Sequence, residues 1–365
     1  MKHLISLLAF SFLIGCDGEK SNVAPSKDSP EEAASEAPSE RSPKEATTET
    51  KPPEAVSVNP NLKYEIKGDA VTVTRCDEDA SGELIIPANI EGKPVTSIGG
   101  GAFSACFGLT SITIPDSVTS IGDRAFGFCD SLTSITIGDG VNSIGGYAFS
   151  NCTSLTSITI PDSVTSIEDG AFLGCTSLTS ITIPDSVTSI EDGAFLGCTS
   201  LTSITIGNGV TSIGERAFSA CPSLKSITIP EGVTSIGEGA FINCNSLKSI
   251  TIPDGVTSIE KETFLGCPDL KSITIPDSVT SVGEISFAHC TSLTNITIPK
   301  GVTNIGGLTF FGCNSLTALT FLGDAPEITN DAFEKSSPTI YRKADAKGWG
   351  DTFAGRPVKL ITEKP

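Results

Sequence analysis

Apolar residues recur along most of the chain at an interval of 23 residues. In one copy of the pattern they are Leu109, Ile112, Ile114, Val118, Ile121, Ala125, Phe126 and Cys129. The phenylalanine returns every 23 residues from Phe103 to Phe333, and the cysteine does so from Cys106 to Cys313. A period of about 20 to 29 residues is typical of leucine-rich-repeat stacks. The pattern therefore predicts a β-rich solenoid in which each 23-residue repeat forms one coil.

Within one coil the pattern predicts three short elements. Residues 111–114 (Ser-Ile-Thr-Ile) alternate polar and apolar, which indicates a half-buried strand. Residues 115–117 supply turn chemistry and 118–121 a second short extended piece. Residues 122–126 (Gly-Asp-Arg-Ala-Phe) are interpreted as an acid-led helical turn that closes the coil. None of these pieces is long enough to be stable without its neighbours, so stacking in parallel register is expected.

The N-terminus is interpreted as an export and anchoring signal. A basic residue, Lys2, precedes an apolar run at 4–14, which is too short to span a bilayer and fits a signal peptide. The run ends in Leu-Ile-Gly-Cys at 13–16, which resembles the lipobox of bacterial lipoproteins. That resemblance implies cleavage before Cys16 and acylation of its thiol. The alternative is an uncleaved apolar anchor.

Composition and the repeat pattern divide the remainder of the chain into a tether, ten repeats and two caps. Residues 17–60 are rich in Glu, Ser, Pro, Ala and Thr, and we expect a disordered tether that holds the folded part away from a lipid anchor. An N-terminal cap with a first irregular repeat is assigned to 61–108, ten full repeats to 109–338, and a C-terminal cap to 339–365.

Charge narrows the choice of partners. The formal net charge is -19, which opposes binding to nucleic acid and to anionic lipid headgroups. Protein, neutral glycan and cation partners remain.

The repeat also resembles a known family. The segment LTSITIPDSVTSIGDRAFGFC at 109–129 is similar to the BspA-like leucine-rich repeats of bacterial surface proteins, and the likeness extends over 84–337. In the commoner leucine-rich repeat Asn or Cys follows the first strand closely, whereas here the cysteine precedes the next strand. The resemblance implies an adhesion or protein-interaction module on the bacterial cell envelope, at the outer surface.

Candidate binding residues lie on the outward side of the predicted main strand. A row of threonines could contact a glycan or an extended peptide: Thr113, Thr136, Thr159, Thr182, Thr205, Thr228, Thr251, Thr274, Thr297 and Thr320. A parallel row of serines runs from Ser111 to Ser272. The structural alternative is that a solvated strand face simply needs a polar residue with high β propensity.

Three lysines break the repeat rule. Lys225, Lys248 and Lys271 replace threonine in consecutive repeats and form a basic row on an acidic body. This row is a candidate docking position for an acidic partner. Relief of local charge repulsion is the alternative.

Two further rows, one of acidic residues and one of cysteines, bear on metal binding and redox chemistry. Acidic residues share one turn position, beginning with Asp116, Asp139, Asp162 and Asp185, so calcium is a hypothesis beside the plainer reading of soluble turns. Disulfides along the cysteine row are conceivable in an exported protein, but buried thiols fit its core position better. No cysteine pair has metal-binding spacing, and we predict no cofactor.

The sequence favours binding over catalysis. The predicted mature chain keeps one histidine, His289, and no nucleophile-elbow or phosphate-loop motif accompanies it. We therefore predict a protein that is not an enzyme and that binds protein or glycan partners. A passive envelope spacer without a specific ligand is the alternative function.

Overall fold

The computed structural model of the protein describes residues 59–363. The predicted signal peptide, the lipidation candidate Cys16 and nearly all of the predicted tether lie outside the described residues. Within the described part, no helix is long and apolar enough to cross a membrane.

The described part consists of short strands joined by turns. In chain order the strands are β1 (Leu62–Lys67), β2 (Ala70–Cys76), β3 (Ser81–Ile85), β4 (Asn89–Ile90), β5 (Lys93–Ile98), β6 (Gly108–Thr113), β7 (Ser120–Ile121), β8 (Ser134–Thr136), β9 (Ser143–Ile144), β10 (Ser166–Ile167), β11 (Ser180–Ile183), β12 (Ser189–Ile190), β13 (Ser203–Ile206), β14 (Ser212–Ile213), β15 (Ser235–Ile236), β16 (Ser249–Thr251), β17 (Ser258–Ile259), β18 (Ser272–Thr274), β19 (Ser281–Val282), β20 (Asn295–Ile298), β21 (Asn304–Ile305), β22 (Ala318–Phe321), β23 (Glu327–Ile328), β24 (Thr339–Arg342), β25 (Thr352–Phe353) and β26 (Arg356–Leu360). One 3-10 helix, Ile361–Glu363, follows β26.

The strands stack in two rows, which confirms the predicted solenoid. The short row holds the two-residue strands and pairs in parallel, with Ser120 opposite Ser143 and Ile121 opposite Ile144. The long row holds the strands of the Ser-Ile-Thr-Ile segments and pairs in the same register, with Thr182 opposite Thr205. Because each partner lies 23 residues away, like side chains stack on like side chains along both rows.

The long row is interrupted. Residues 157–160 and 226–229 have no strand partner, although their sequence is that of their neighbours. Within a paired step, the Thr133 amide donates to the Thr110 carbonyl at 2.9 Å. At an interruption, the Lys225 amide reaches the Thr202 carbonyl only at 3.3 Å. Neighbouring coils therefore stay in contact there, but their backbones pair less closely.

The core is a set of continuous side-chain stacks. The phenylalanines from Phe103 to Phe333 are almost fully buried, and neighbouring rings stack with centroids between 4.9 Å and 5.6 Å apart. Columns of isoleucine, leucine and cysteine pack beside them. The ring spacing is close to the strand spacing of about 4.8 Å. The same 23-residue period therefore brings the strands into hydrogen-bonding distance and the phenylalanine rings into stacking distance.

The predicted helical turn at 122–126 is wrong. The chain forms successive turns there, and Arg124 and Phe128 have left-handed φ values of 53° and 61°. The amide of Phe126 donates to the carbonyl of Ala148 in the next coil, at 2.8 Å. The amide of Ala125 donates within the turn, to the Gly122 carbonyl. Because alternate amides are used between coils, the segment cannot form the continuous hydrogen-bond ladder of a helix.

Irregular elements occupy both ends. Strands β1 and β2 form an antiparallel hairpin, and β2 then pairs in parallel with β5 to begin the short row. At the other end, β24 and β26 extend the long row beyond the last full repeat, and β25 folds back antiparallel onto β26. The ring of Trp349 lies 4.9 Å from that of Phe321, so aromatic side chains pack at this end.

Residues 154–176 and 177–199 are identical, which allows a direct test of the stacking unit. Deleting 177–199 joins Thr176 to Ser200 and recreates the native junction, so we expect a folded solenoid with one coil fewer. Circular dichroism should retain the native spectrum and a single cooperative thermal transition. Deleting only 177–188 moves the following residues half a coil out of register and should prevent folding. Loss of folding in both deletions would contradict the interchangeable-coil interpretation.

Candidate ligand-binding face

The outward side of the long row forms a surface that we call the hydroxyl face. Its threonines are Thr113, Thr136, Thr159, Thr182, Thr205, Thr228, Thr251, Thr274 and Thr297, with the serine two residues before each one up to Ser272 beside it. Thr113 is half-buried, and the others from Thr136 to Thr297 are exposed. The isoleucines between the serines and threonines point inward, because successive strand side chains alternate between faces.

Two threonine columns of the long row differ in their hydrogen bonds. The column that begins at Thr110 is tied to the stack: the Thr133 hydroxyl donates to the Thr110 carbonyl at 3.0 Å, and Thr202 donates to Thr179 at the same distance. Across residues 59–363, the hydroxyls from Thr113 to Thr297 on the hydroxyl face have no hydrogen-bond partner within the protein. They are available to a ligand or to water.

The exposed row ends earlier than the sequence indicates. Thr320 was predicted to continue it, but its side chain is buried, with 6% exposed. Strand β24 pairs with β22 and places Tyr341 opposite Thr320. The C-terminal elements therefore cover the last position, and the hydroxyl face ends at Thr297.

The three lysines occupy the column in which threonine normally links one coil to the next. Replacing threonine by lysine removes the hydroxyl that donates to the preceding carbonyl. Lys225, Lys248 and Lys271 are exposed and form no ion pair in the part of the chain that the structure describes. By contrast, Lys261 lies 3.2 Å from Glu238 and Lys300 lies 3.7 Å from Asp277. The lysine column thus gives up stacking contacts and leaves its charges unpaired.

A groove adjoins this lysine column. Its volume is about 430 Å³, and it crosses the interrupted step of the long row between residues 226–229 and 249–253. Its lining includes the serines and threonines of both segments together with Ile227, Ile250 and Glu231. Lys225 and Lys248 directly precede the two lining segments in the chain. Residues of the hydroxyl row therefore line the groove, and the lysine row lies next to it.

The acidic turn row has a structural role. The Asp116 carboxylate accepts a hydrogen bond from the amide of Asp139 at 3.1 Å, and Asp185 accepts one from Asn208 at 2.6 Å. Among residues 59–363, no three carboxylate, histidine or cysteine side chains come together in a way that could hold a metal ion. The calcium hypothesis for this row therefore finds no assembled site.

The described cysteines, from Cys76 to Cys313, are buried free thiols. Most donate to the phenylalanine carbonyl 26 residues earlier, as Cys129 does to Phe103 at 3.0 Å and Cys221 to Phe195 at 3.2 Å. Burial raises the pKa of the Cys221 thiol to about 12, against an ordinary value of 9.0. Thiols in this state are poor nucleophiles, because the thiolate is the reactive form.

His289 lies on the turn surface. Its backbone has a left-handed φ of 61°, and its ring contacts Phe311 edge-on, with centroids 5.2 Å apart. The ring also lies close above Gly312, where a Cβ atom would meet Nδ1 at 3.0 Å. These contacts give the side chain a packing role on the surface.

Three exposed aromatic side chains on the turn side were not among the residues predicted from the sequence. Phe107 and Phe128 are 55% and 50% exposed, and Tyr147 is 38% exposed, in three consecutive coils. The guanidinium of Arg124 lies 5.1 Å from the Tyr147 ring centroid. Phe128 keeps a left-handed backbone at a position where other coils have glycine, such as Gly174. Phe128 and Tyr147 occupy repeat positions at which other coils have glycine, Gly174 and Gly170, and this departure from the repeat is the sequence signal.

Comparison with known proteins agrees with this architecture. The model of the BspA-type leucine-rich repeat region matches residues 96–225 and 211–339, in six copies. The chain belongs to the BspA-type leucine-rich repeat family. Repeat solenoids of this family are generally non-enzymatic.

Solved structures include similar bacterial proteins. A leucine-rich cell surface protein from Faecalibacterium prausnitzii is 30% identical, with 80% of this chain and 98% of that one covered and a TM-score of 0.52. A leucine-rich repeat protein from Bacteroides ovatus is 26% identical, with 83% and 99% covered and a TM-score of 0.40. The pneumococcal vaccine antigen PcpA is 19% identical, with 84% and 93% covered and a TM-score of 0.43. No curated protein matches the chain.

Proposed function

We propose that the protein is a lipid-anchored interaction module of the bacterial cell envelope, which binds protein or glycan partners through the hydroxyl face. The family relationship supports an interaction or adhesion module. The observation that carries the specific proposal is the contrast between the two threonine columns. One column uses its hydroxyls to hold the stack together, whereas the hydroxyls of the other are exposed and without partners among residues 59–363.

Physical chemistry favours a ligand that is extended along the stack. Neighbouring strands repeat at about 4.8 Å, so the hydroxyl face offers a regular series of donors and acceptors rather than one deep pocket. Many weak contacts along such a face add up when the ligand is itself repetitive. Polysaccharides and extended protein segments both have this property.

Anchoring through Cys16 would place this face outside the membrane. The apolar run and the Leu-Ile-Gly-Cys segment support acylation of Cys16, and the polar residues 17–60 would separate the solenoid from the lipid. The F. prausnitzii protein is described as a cell surface protein, which supports the outer surface as the location.

Location can be tested separately from binding. Protease treatment of intact source cells should remove the solenoid, and Cys16→Ser should abolish incorporation of labelled fatty acid. Protection of the solenoid in intact cells, with cleavage only after the envelope is opened, would place the protein inside the envelope. Unchanged fatty-acid labelling of Cys16→Ser would contradict the anchor.

The hydroxyl face can be tested with two triple variants of the same composition. Thr159, Thr182 and Thr205 are changed together to valine, which keeps the shape and β propensity and removes only unpartnered hydroxyls. We expect unchanged thermal stability and about a tenfold or greater loss of binding to ligands captured from a printed array of polysaccharides and matrix proteins.

The matched control changes Thr156, Thr179 and Thr202 to valine. These hydroxyls donate to the preceding coil at 3.3, 3.4 and 3.0 Å, so we expect each loss to reduce the free energy of unfolding by about 1 kcal/mol. If the first variant binds every array ligand as the native chain does, or if the native chain binds none, the passive-spacer alternative takes the place of the proposal.

A further inference from the structure

We propose that the groove beside Lys225, Lys248 and Lys271 binds an acidic polysaccharide, a chain of uronic acid units that lies along the stack. The inference rests on the proposed function, because it uses the same hydroxyl face, and it adds the chemical class of the ligand and the place where the ligand is held.

The lysine column is a local row of positive charges on an acidic chain. The chain has a formal net charge of -19, and the lysine column places three ammonium groups in consecutive coils of this acidic body. No carboxylate of the described part pairs with them, whereas Lys261 and Lys300 do have acidic partners. The acidic body as a whole repels polyanions at long range, so the attraction is local: the unpaired ammonium groups of the lysine column can pair at close range with a ligand that carries its own row of anions.

The lysine column also lacks the side-chain hydrogen bonds that link neighbouring coils elsewhere. In neighbouring coils, such as that of Thr202, the residue of this column donates a side-chain hydrogen bond to the preceding coil. Lysine gives up this side-chain bond at three successive coils. The backbone pairing does not follow the substitution, since the amide-to-carbonyl distance is 3.4 Å at Lys248 and 2.9 Å at Lys271, and both 2.9 Å and 3.3 Å occur at threonine steps. The lysines thus stand where a stabilising side-chain hydrogen bond is lost, which favours a binding role over charge relief.

Spacing selects the class of ligand. Stacked coils place the lysines about 4.8 Å apart, so the three span roughly 10 Å along the stack. One sugar unit of an extended polysaccharide is close to one coil in length, so the carboxylates of a polyuronate recur along its axis at about the coil spacing, and the long lysine side chains can reach those on different sides of the sugar chain. An extended peptide presents side chains on one face only every 6.6 to 6.8 Å or so, which falls out of step with the coils.

The lining of the groove fits sugar rings. Ser226, Thr228, Ser249 and Thr251 supply hydroxyls that can exchange hydrogen bonds with sugar hydroxyls. Glu231 also lines the groove and follows Pro230, so it lies at the opposite end of the strand segment from Lys225. The polyanion is therefore expected to lie on the lysine side, away from this carboxylate.

The test uses the full chain and three probes of similar length: polygalacturonate, its methyl-esterified neutral form, and poly-L-glutamate. We expect the native chain to bind polygalacturonate about tenfold or more tightly than either other probe, and added salt to weaken that binding. Changing Lys225, Lys248 and Lys271 together to threonine should reduce binding to polygalacturonate by about tenfold or more. Glu231→Gln should leave it unchanged or strengthen it.

The matched control changes Lys63, Lys343 and Lys359 to threonine, which alters the net charge equally but at the end elements. Binding should then stay within about twofold of the native value. The lysine-column variant should melt no lower than the native protein, since threonine is the residue other coils have at this position. A lower melting temperature would show that the lysines act in stability.

Several outcomes would overturn the inference: no binding to polygalacturonate, equal loss in the control variant, or tighter binding to poly-L-glutamate, which would indicate an acidic protein partner instead. If the valine variant of Thr159, Thr182 and Thr205 loses array ligands while the lysine variant keeps them all, this inference fails and the proposed function stands. If neither variant changes the binding of any ligand, both fail.

Discussion

Raising the pH from 9 to 12 should unfold this protein, because the folded state keeps its buried thiols protonated over that range. Burial raises the pKa of Cys221, Cys267 and Cys313 from 9.0 to about 12. In the unfolded chain the same thiols ionise near pH 9. The folded state therefore binds more protons between these values, and the free energy of unfolding falls as the pH rises. The stabilising contribution is complete below pH 9 and is lost by about pH 12.

The expected effect is large. A pKa difference between 9.0 and about 12 corresponds to roughly 4 kcal/mol for each thiol. Domains typically unfold at a total cost of about 5 to 15 kcal/mol, so these three thiols alone could exhaust the stability. Burial also raises the pKa of Cys175, Cys198, Cys244 and Cys290 well above its ordinary value, which adds to the effect.

Urea unfolding of the native chain and of Cys221→Ala, followed across this pH range, measures the contribution of one thiol. The variant should be less stable near neutral pH, because it loses a packed side chain. Its stability should also fall less steeply with pH, by about 1.4 kcal/mol per pH unit. Lysine and tyrosine titration is common to both chains and cancels in the difference. Parallel curves for the two chains would contradict the role of the buried thiol.

Truncating one ring of the aromatic stack should have the second large effect. The Phe218 side chain is fully buried, and its ring lies 5.5 Å from those of Phe195 and Phe241. Phe218→Ala should reduce the free energy of unfolding by about 3 to 5 kcal/mol, through lost burial, a cavity and two broken ring contacts. Chemical denaturation of both chains measures this difference directly.

Phe128→Ala is the matched control. The same side chain is removed, but half of it is exposed on the turn surface, so we expect a change of about 0.5 kcal/mol or less. Similar losses for Phe218→Ala and Phe128→Ala would mean that the central stack contributes no more than a surface ring.

Much of the architecture followed from the 23-residue period. Phe126 and Cys129 could be assigned to the core from the sequence, because a side chain that recurs once per coil must stack on its own copy. The strand at 111–114 followed from alternation, and β6 (Gly108–Thr113) lies at nearly that position. The helical turn at 122–126 was wrongly assigned, because alternate amides, those of Arg124 and Phe126, donate to carbonyls of the next coil, 22 residues further along the chain.

Other features depend on the neighbours of a segment rather than on the segment. Residues 157–160 and 180–183 have the same Ser-Ile-Thr-Ile sequence, yet only the second forms a strand, β11. Thr110 and Thr113 lie in one strand. The carbonyl of Thr110 accepts a hydrogen bond from the Thr133 hydroxyl of the next coil, whereas the hydroxyl of Thr113 has no partner among residues 59–363. The local sequence determines the period and the secondary-structure propensity of a segment. Hydrogen bonds between coils depend on differences of a few tenths of an ångström in backbone separation, which arise only when all coils are stacked together.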